Sequence, residues 1–65
     1  MSEEYERIES EIRSCKLLLA ETDYKALKYS EGLISDEDYE EIKSYRSLLR
    51  TKINTYEEQL SLLDE

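Results

Sequence analysis

Mostly apolar residues recur along this chain in alternating steps of three and four, and the pattern is interrupted at one place. The first run is Tyr5, Ile8, Ile12, Cys15, Leu19, Thr22, Ala26, Tyr29 and Leu33. The second run is Tyr39, Ile42, Arg46, Leu49, Ile53, Tyr56, Leu60 and Leu63. Such steps keep side chains on one stripe of an α-helix, and that stripe is the seam of a coiled coil. The spacing therefore predicts an all-α fold of two helices.

The interruption contains the only glycine of the chain, Gly32. A glycine just after a periodic run is typical of the residue that follows a helix C-terminus. Ser35 follows with three acidic residues behind it, which is the pattern of an N-cap and a first helical turn. The sequence predicts helices at residues 3–31 and 36–63, joined by a turn at 32–35. Helices joined by so short a turn are antiparallel neighbours, so we expect the 65 residues to form one helical hairpin.

Folding the chain at Gly32 pairs the two seams in layers whose sequence numbers add to about 68. The predicted layers are Tyr29 with Tyr39, Ala26 with Ile42, Thr22 with Arg46, Leu19 with Leu49, Cys15 with Ile53, Ile12 with Tyr56, Ile8 with Leu60, and Tyr5 with Leu63. One assumption, the position of the turn, aligns every layer. Each arm of the hairpin should be about 40–45 Å long at 1.5 Å per residue.

The composition excludes most kinds of active site. The chain has no His, one Cys and one Gly. Without His there is no Ser-His or Cys-His catalysis, and with no His and a single Cys there is no zinc site. One Gly cannot build the turn of a dinucleotide-binding fold. We therefore expect a protein that is not an enzyme and that carries no cofactor and no metal. Cys15 lies on the seam, where we expect a small buried apolar side chain.

Charge and hydropathy limit the location and the partners of the protein. Seventeen acidic and nine basic side chains give a net charge of −8, which argues against direct DNA binding. No apolar run approaches the roughly 20 residues of a membrane span, and the N-terminal sequence MSEEYERIE is acidic rather than signal-like. We expect a cytoplasmic protein that does not bind a membrane.

A second apolar stripe runs along the first helix, away from the seam. Its members are Leu17, Ala20, Tyr24 and Leu27, and further apolar positions on the second helix are Tyr45, Leu48 and Leu62. One seam rarely stabilises a small hairpin alone, and soluble monomers seldom expose such a patch. We therefore expect a homo-oligomer, a dimer or higher, most simply a two-fold dimer that forms a four-helix bundle.

Basic side chains gather around the middle of the hairpin, whereas acidic side chains dominate both ends of the chain. The spacing along the seam edge places Lys16 opposite Arg50 and Glu9 opposite Glu57, which are like charges in both cases. A concentrated basic edge on an acidic protein favours an anion. The candidate ligand-binding residues are Arg13, Lys16, Lys43, Arg46 and Arg50, with Tyr24 and Tyr45 as rings able to stack on a nucleobase.

Each of these candidates also has a structural interpretation. Arg46 opposite Thr22 could instead form a buried polar layer that fixes the alignment of the helices. The basic edge could be neutralised by acids of a partner chain, or its long side chains could extend into water. Tyr24 and Tyr45 could pack within an oligomer interface. The sequence leaves these alternatives open.

The stretch Thr22–Glu58 resembles the helical hairpin of many bacteriophage tail-associated proteins, tail-fibre assembly chaperones among them. The resemblance lies in three segments: TDYKALKYSEG at Thr22 to Gly32, LISDEDY at Leu33 to Tyr39, and a run of single positions. That run consists of Ile42, Lys43, Arg46, Leu49, Arg50, Ile53 and Asn54. The resemblance implies a helical hairpin, a phage or prophage source and hence the cytoplasm of a host cell. In tail proteins this hairpin is an appended module, and we expect this chain to lack the larger domain that would bind a fibre.

Several functions are compatible with these observations. The first is a small phage counter-defence factor that sequesters a nucleotide-derived immune signal between subunits, with basic and aromatic residues around the ligand. The second is a tail-assembly chaperone or structural hairpin that binds protein partners only. The third is an acidic decoy that inhibits a nucleic-acid-binding host defence protein, in line with the net charge of −8. The first is preferred because the hairpin stands without the larger domain and concentrates its basic residues.

Overall fold

The computed structural model describes residues 3–63, which form two α-helices. Helix α1 spans Glu3–Ser30 and helix α2 spans Asp36–Leu63, and the two pack against each other along their length. The hairpin measures 46 × 14 × 13 Å. These helices confirm the predicted all-α hairpin, and α1 ends one residue earlier than the predicted residue 31.

The end of α1 is closed by a glycine motif. Gly32 has a φ of 78°, a left-handed conformation that side chains with a Cβ rarely adopt. The N–H of Leu33 donates to the carbonyl of Lys28 at 2.9 Å, and the N–H of Gly32 donates to that of Tyr29 at 3.0 Å. This pair of bonds is a Schellman motif, which satisfies carbonyls that a helix end would otherwise leave unpaired.

The start of α2 is closed by a serine N-cap. The backbone N–H of Asp38 donates to Ser35 Oγ at 3.1 Å, and the N–H of Tyr39 donates to the Ser35 carbonyl at 3.0 Å. Acidic residues fill the first turn, where the partial positive charge of the helix terminus favours them. The predicted N-cap is therefore confirmed.

The core lies in the half of the hairpin away from the turn. Its buried residues are Ile8, Ile12, Cys15, Leu49 and Ile53, with Leu19, Tyr56 and Leu60 packed against them. Cys15 is buried and unoxidised, as predicted. Nearer the turn the seam residues are only partly buried, and two of the predicted layers there are formed: the Tyr29 and Tyr39 rings stack with centroids 4.1 Å apart, and Arg46 contacts Thr22.

Two predicted members of the seam lie at the surface: Leu63, at the end of α2, is 40% exposed, and Leu33 is more exposed still. Leu33 is 68% exposed, whereas its neighbour Ile34 is partly buried. The left-handed conformation of Gly32 turns the chain out of the helical path, so the spacing of three and four no longer applies at position 33.

The hydropathy of each helix indicates whether it could cross a membrane. Within residues 3–63, neither helix carries a stretch both long enough and apolar enough to cross a bilayer.

Candidate functional site

Arg46 is the most connected side chain between the two helices. Its Nη1 donates to Thr22 Oγ1 at 2.6 Å and to the carbonyl of Leu19 at 3.1 Å, and lies 2.9 Å from Asp23 Oδ1. The Thr22 hydroxyl in turn donates to the Leu19 carbonyl at 2.8 Å. The Arg46 side chain is only 12% exposed, whereas that of Asp23 is 66% exposed.

These contacts give Arg46 a structural role inside the hairpin. A largely buried guanidinium is costly unless a countercharge and hydrogen-bond acceptors surround it. Asp23 provides the countercharge, and Thr22 and the Leu19 carbonyl provide the acceptors. No buried side-chain nitrogen or oxygen among residues 3–63 is left without a hydrogen-bond partner. This is the polar layer that the sequence offered as an alternative role of Arg46, and its contacts all involve Nη1 of the guanidinium.

A groove opens beside the core in the half of the molecule away from the turn. It has a volume of about 290 Å³ and its floor includes Ile12 and Leu60. Two of the predicted ligand-binding residues, Arg13 and Lys16, lie on its wall, one helical turn apart. The other charged residues of the wall are Glu9 and Glu57. The groove thus combines two basic and two acidic side chains over an apolar floor, rather than presenting a purely basic surface.

The remaining predicted ligand residues lie outside this groove. Lys43 and Arg50 are exposed on α2, and Tyr45 is exposed on the same helix. Tyr24 is exposed on α1, where the ammonium of Lys28 lies 4.9 Å from the centre of its ring. That cation–π contact occupies one face of the ring, so a stacking base would have to use the other face.

The second apolar stripe of α1 is the largest unpartnered feature of this helix. Leu17 is 66% exposed, Leu27 is 60% exposed and Tyr24 is 56% exposed. Ala20 completes the stripe and is also exposed. Contiguous exposed apolar residues on a small protein mark an interaction surface. The structure therefore places all four members of this stripe at the surface. The other predicted interface positions are exposed on α2: Tyr45, Leu48 and Leu62.

Two stacked tyrosines stabilise the hairpin next to the turn. The rings of Tyr29 and Tyr39 are nearly parallel, and the Tyr29 hydroxyl donates to Asp36 Oδ1 at 2.7 Å. This hydrogen bond, together with the negative charge of Asp36, raises the pKa of Tyr29 above its ordinary value of 10.0. The contact links the last turn of α1 to the first turn of α2.

The sequence interpretation missed two participants, Asp23 and Lys28. Asp23 lies next to Thr22 on the edge of the seam, so the layer that contains Arg46 also carries a carboxylate within reach. Lys28 follows Tyr24 by four residues, a spacing that brings helical side chains together. Both could have been found by examining edge positions for partners of each predicted site residue.

Comparison with known proteins gives no further guide to this surface. No protein-family model, curated protein or solved structure matches the chain. The resemblance of Thr22–Glu58 to the hairpin of phage tail proteins therefore stays a hypothesis that depends on the sequence segments given above. The function has to be inferred from the side chains that the hairpin exposes.

Proposed function

We propose that this chain is a non-catalytic helical hairpin that works by binding protein partners, the first of which is a second copy of itself. The observation that carries the proposal is the stripe of Leu17, Ala20, Tyr24 and Leu27, which the hairpin leaves exposed on α1. A structural or assembly hairpin of the kind found in phage tail proteins would use such a face.

The size of the stripe fits self-association of moderate strength. Burying one leucine side chain contributes about 1.5–3 kcal/mol, and fixing two molecules in one complex costs at least about 4 kcal/mol. Leu17 and Leu27 are each more than half exposed, so a two-fold pair gains the burial of four leucines and two tyrosines. This gain is of the same order as the cost of association, so the stripe can support self-association.

Leu27→Glu tests this proposal. The introduced charge should prevent burial of the stripe, so the oligomer should dissociate while the hairpin stays helical. Sedimentation equilibrium at micromolar concentration measures the mass, and circular dichroism measures the helicity. Leu33→Glu is the matched control, because Leu33 is similarly exposed but lies outside the stripe. A monomeric wild type of 7.8 kDa, or equal dissociation by both variants, would contradict the proposal.

A second candidate function is sequestration of a nucleotide-derived signal, as a phage counter-defence factor would perform it. The observation that favours it is the groove where Arg13 and Lys16 lie above an apolar floor, since phosphate and base recognition combine charge with an apolar contact. Glu9 and Glu57 on the same wall oppose the binding of an anion. This candidate therefore ranks second.

Thermal unfolding against a panel of nucleotides and cyclic dinucleotides tests the second candidate. A ligand that binds only the folded protein stabilises it by about 2.7 kcal/mol at one hundred times its dissociation constant. Lys16→Gln should abolish the shift, whereas Lys52→Gln, an exposed lysine that does not line the groove, should preserve it. The absence of a shift with every nucleotide would contradict this function.

A further inference from the structure

The exposed stripe of α1 is symmetric about its own midpoint. Leu17 and Leu27 have sequence numbers that add to 44, and so have Ala20 and Tyr24. Suppose that two copies of α1 pair antiparallel, so that the numbers of facing residues add to 44. Leu17 of one copy then faces Leu27 of the other, and the small Ala20 faces the large Tyr24. A two-fold interface requires such self-complementarity, because residue i contacts residue j and j contacts i.

The charges that flank the stripe follow the same symmetry. The next positions outward, in steps of four, are Arg13 and Glu31, whose sequence numbers also add to 44. Both side chains are exposed, and the N–H of Glu31 still bonds to the carbonyl of Leu27, so position 31 continues the helical path. An antiparallel pair therefore brings the guanidinium of one copy to the carboxylate of the other, twice in each dimer.

Other arrangements of the same face lose these matches. A parallel pair would place Arg13 against its own copy and Glu31 against its own copy, which is repulsive in both cases. An antiparallel pair shifted by seven residues leaves one leucine of the stripe without a counterpart. The symmetric register has two unfavourable contacts of its own, since Glu21 and Asp23 each lie one residue from the two-fold axis and therefore beside their own copies, although Asp23 is paired with Arg46. Both positions are exposed, so solvent screens the repulsion.

The stripe also lies on the far side of α1 from α2. At about 100° per residue, its mean direction is about 140–150° from that of the seam. Two hairpins joined through this face therefore place both α1 helices in the middle and both α2 helices outside. That layered arrangement differs from the four-helix bundle around a common core that the sequence suggested.

We propose that two copies of this chain pair through α1 in an antiparallel, two-fold register, with Arg13 of each copy facing Glu31 of the other. This inference rests on the self-association in the proposed function and adds its orientation and register. It assigns the groove residue Arg13 a second role, at the outer end of the interface.

A charge exchange tests the register. Arg13→Glu and Glu31→Arg each replace two attractions by two repulsions, so each should weaken the dimer roughly ten-fold. The double variant restores opposite charges across the interface, and its dissociation constant should return to within about three-fold of the wild type. Arg7→Glu is the control for Arg13→Glu, because it makes the same change in net charge at an exposed position outside the stripe. Sedimentation equilibrium gives the constants, and circular dichroism verifies the fold of each variant.

The outcomes separate the register from the proposed function. If the double variant is weaker than both single variants, or if Arg13→Glu matches Arg7→Glu, the register is overturned while self-association remains. If the wild type is a monomer at micromolar concentration, both the register and the proposed self-association are overturned. Rescue by the double variant supports the antiparallel pair, because a parallel pair would keep like charges together.

Discussion

At the residue scale, Arg46 shows how a charge is accommodated between two helices of a small protein. A single nitrogen, Nη1, contacts acceptors from Leu19, Thr22 and Asp23, all within one turn of α1. The contacts require Arg46 to lie opposite this one turn, so a slip of the helices by a turn would leave the guanidinium buried without them. We infer that the layer specifies the alignment more than it adds stability.

Arg46→Met tests this interpretation. Methionine has a similar length and carries no charge, and the Thr22 hydroxyl keeps its own acceptor at the Leu19 carbonyl. We therefore expect the free energy of unfolding to stay within about 1 kcal/mol of the wild type. Asp23→Ala, which leaves the charge of Arg46 without its partner, should instead cost about 0.5–1 kcal/mol. Urea denaturation measures both, with Glu41→Ala, at an exposed position of α2, as the control. A loss above about 2 kcal/mol in Arg46→Met would show that the charge itself stabilises the hairpin.

Tyr29 provides a prediction on pH. Its pKa is raised in the folded state by the hydrogen bond to Asp36 and by the charge of that carboxylate. The folded protein therefore holds the phenol proton more tightly than the unfolded chain. The resulting stability is present below pH 10 and is lost as the pH rises through the raised pKa. Absorbance titration of the tyrosinate should show that Tyr29 titrates above its ordinary pKa of 10.0, and Asp36→Asn should move its pKa back towards that value. An unchanged titration in Asp36→Asn would contradict the assignment.

At the scale of the element, the turn is defined by backbone conformation more than by packing. Gly32 has a positive φ, and a Cβ added at this position would meet no atom within 4 Å. A substitution there therefore disturbs only the local backbone energy. Ser35, three residues later, stabilises the start of α2 through its side chain instead. The two caps act on opposite helix ends within a segment of four residues.

Gly32→Ala isolates the conformational cost of the turn. A residue with a Cβ in the left-handed region costs about 1–2 kcal/mol, and no steric clash adds to it here. Gly32→Asn should cost less, because asparagine tolerates this region better. Ser30→Ala, at the last residue of α1, is the control for a change of composition in the same segment. Thermal unfolding measures all three, and equal midpoints for Gly32→Ala and the wild type would indicate that the turn adopts another conformation in solution.

At the scale of the whole molecule, the apolar core occupies only one half of the hairpin. Five buried residues lie away from the turn, whereas stacked tyrosines and the Arg46 layer hold the other half. So small a core leaves little margin of stability for a chain of 65 residues. Self-association through α1 would add burial to a molecule whose own seam provides little.

The core makes a direct prediction on stability. Leu49 is 3% exposed, so Leu49→Ala should cost roughly 2–5 kcal/mol and unfold much of the population. Leu19→Ala should cost less, because Leu19 is only partly buried. The adjacent Leu48→Ala is the matched control, since its side chain is largely exposed. Full helicity and an unchanged midpoint in Leu49→Ala would contradict the observed packing.

The sequence by itself determined the two helices, the place of the turn and the pairing of the layers. These features follow from local rules: a step of three and four sets one helical stripe, and a glycine ends it. Once the turn is placed at Gly32, only one alignment of the two helices pairs their seams. In that alignment Tyr29 meets Tyr39 and Thr22 meets Arg46. The exposed stripe followed as well, because its residues lie on the side of α1 away from the seam.

Only the tertiary structure decided which charges meet across the helices and which residues leave the seam. Arg46 contacts Asp23 because its long side chain crosses the seam at a particular angle. The residue spacing gives the position of a side chain along the helix, but not how far or in which direction it extends. Leu33 is exposed because the positive φ of Gly32 redirects the chain. A periodic spacing assumes a continuous helix and therefore does not predict this change of direction. The groove combines Arg13 and Lys16 with two glutamates because residues of both helices and of successive turns line it. Each of these outcomes depends on side-chain direction in three dimensions, whereas periodicity fixes only position along the chain.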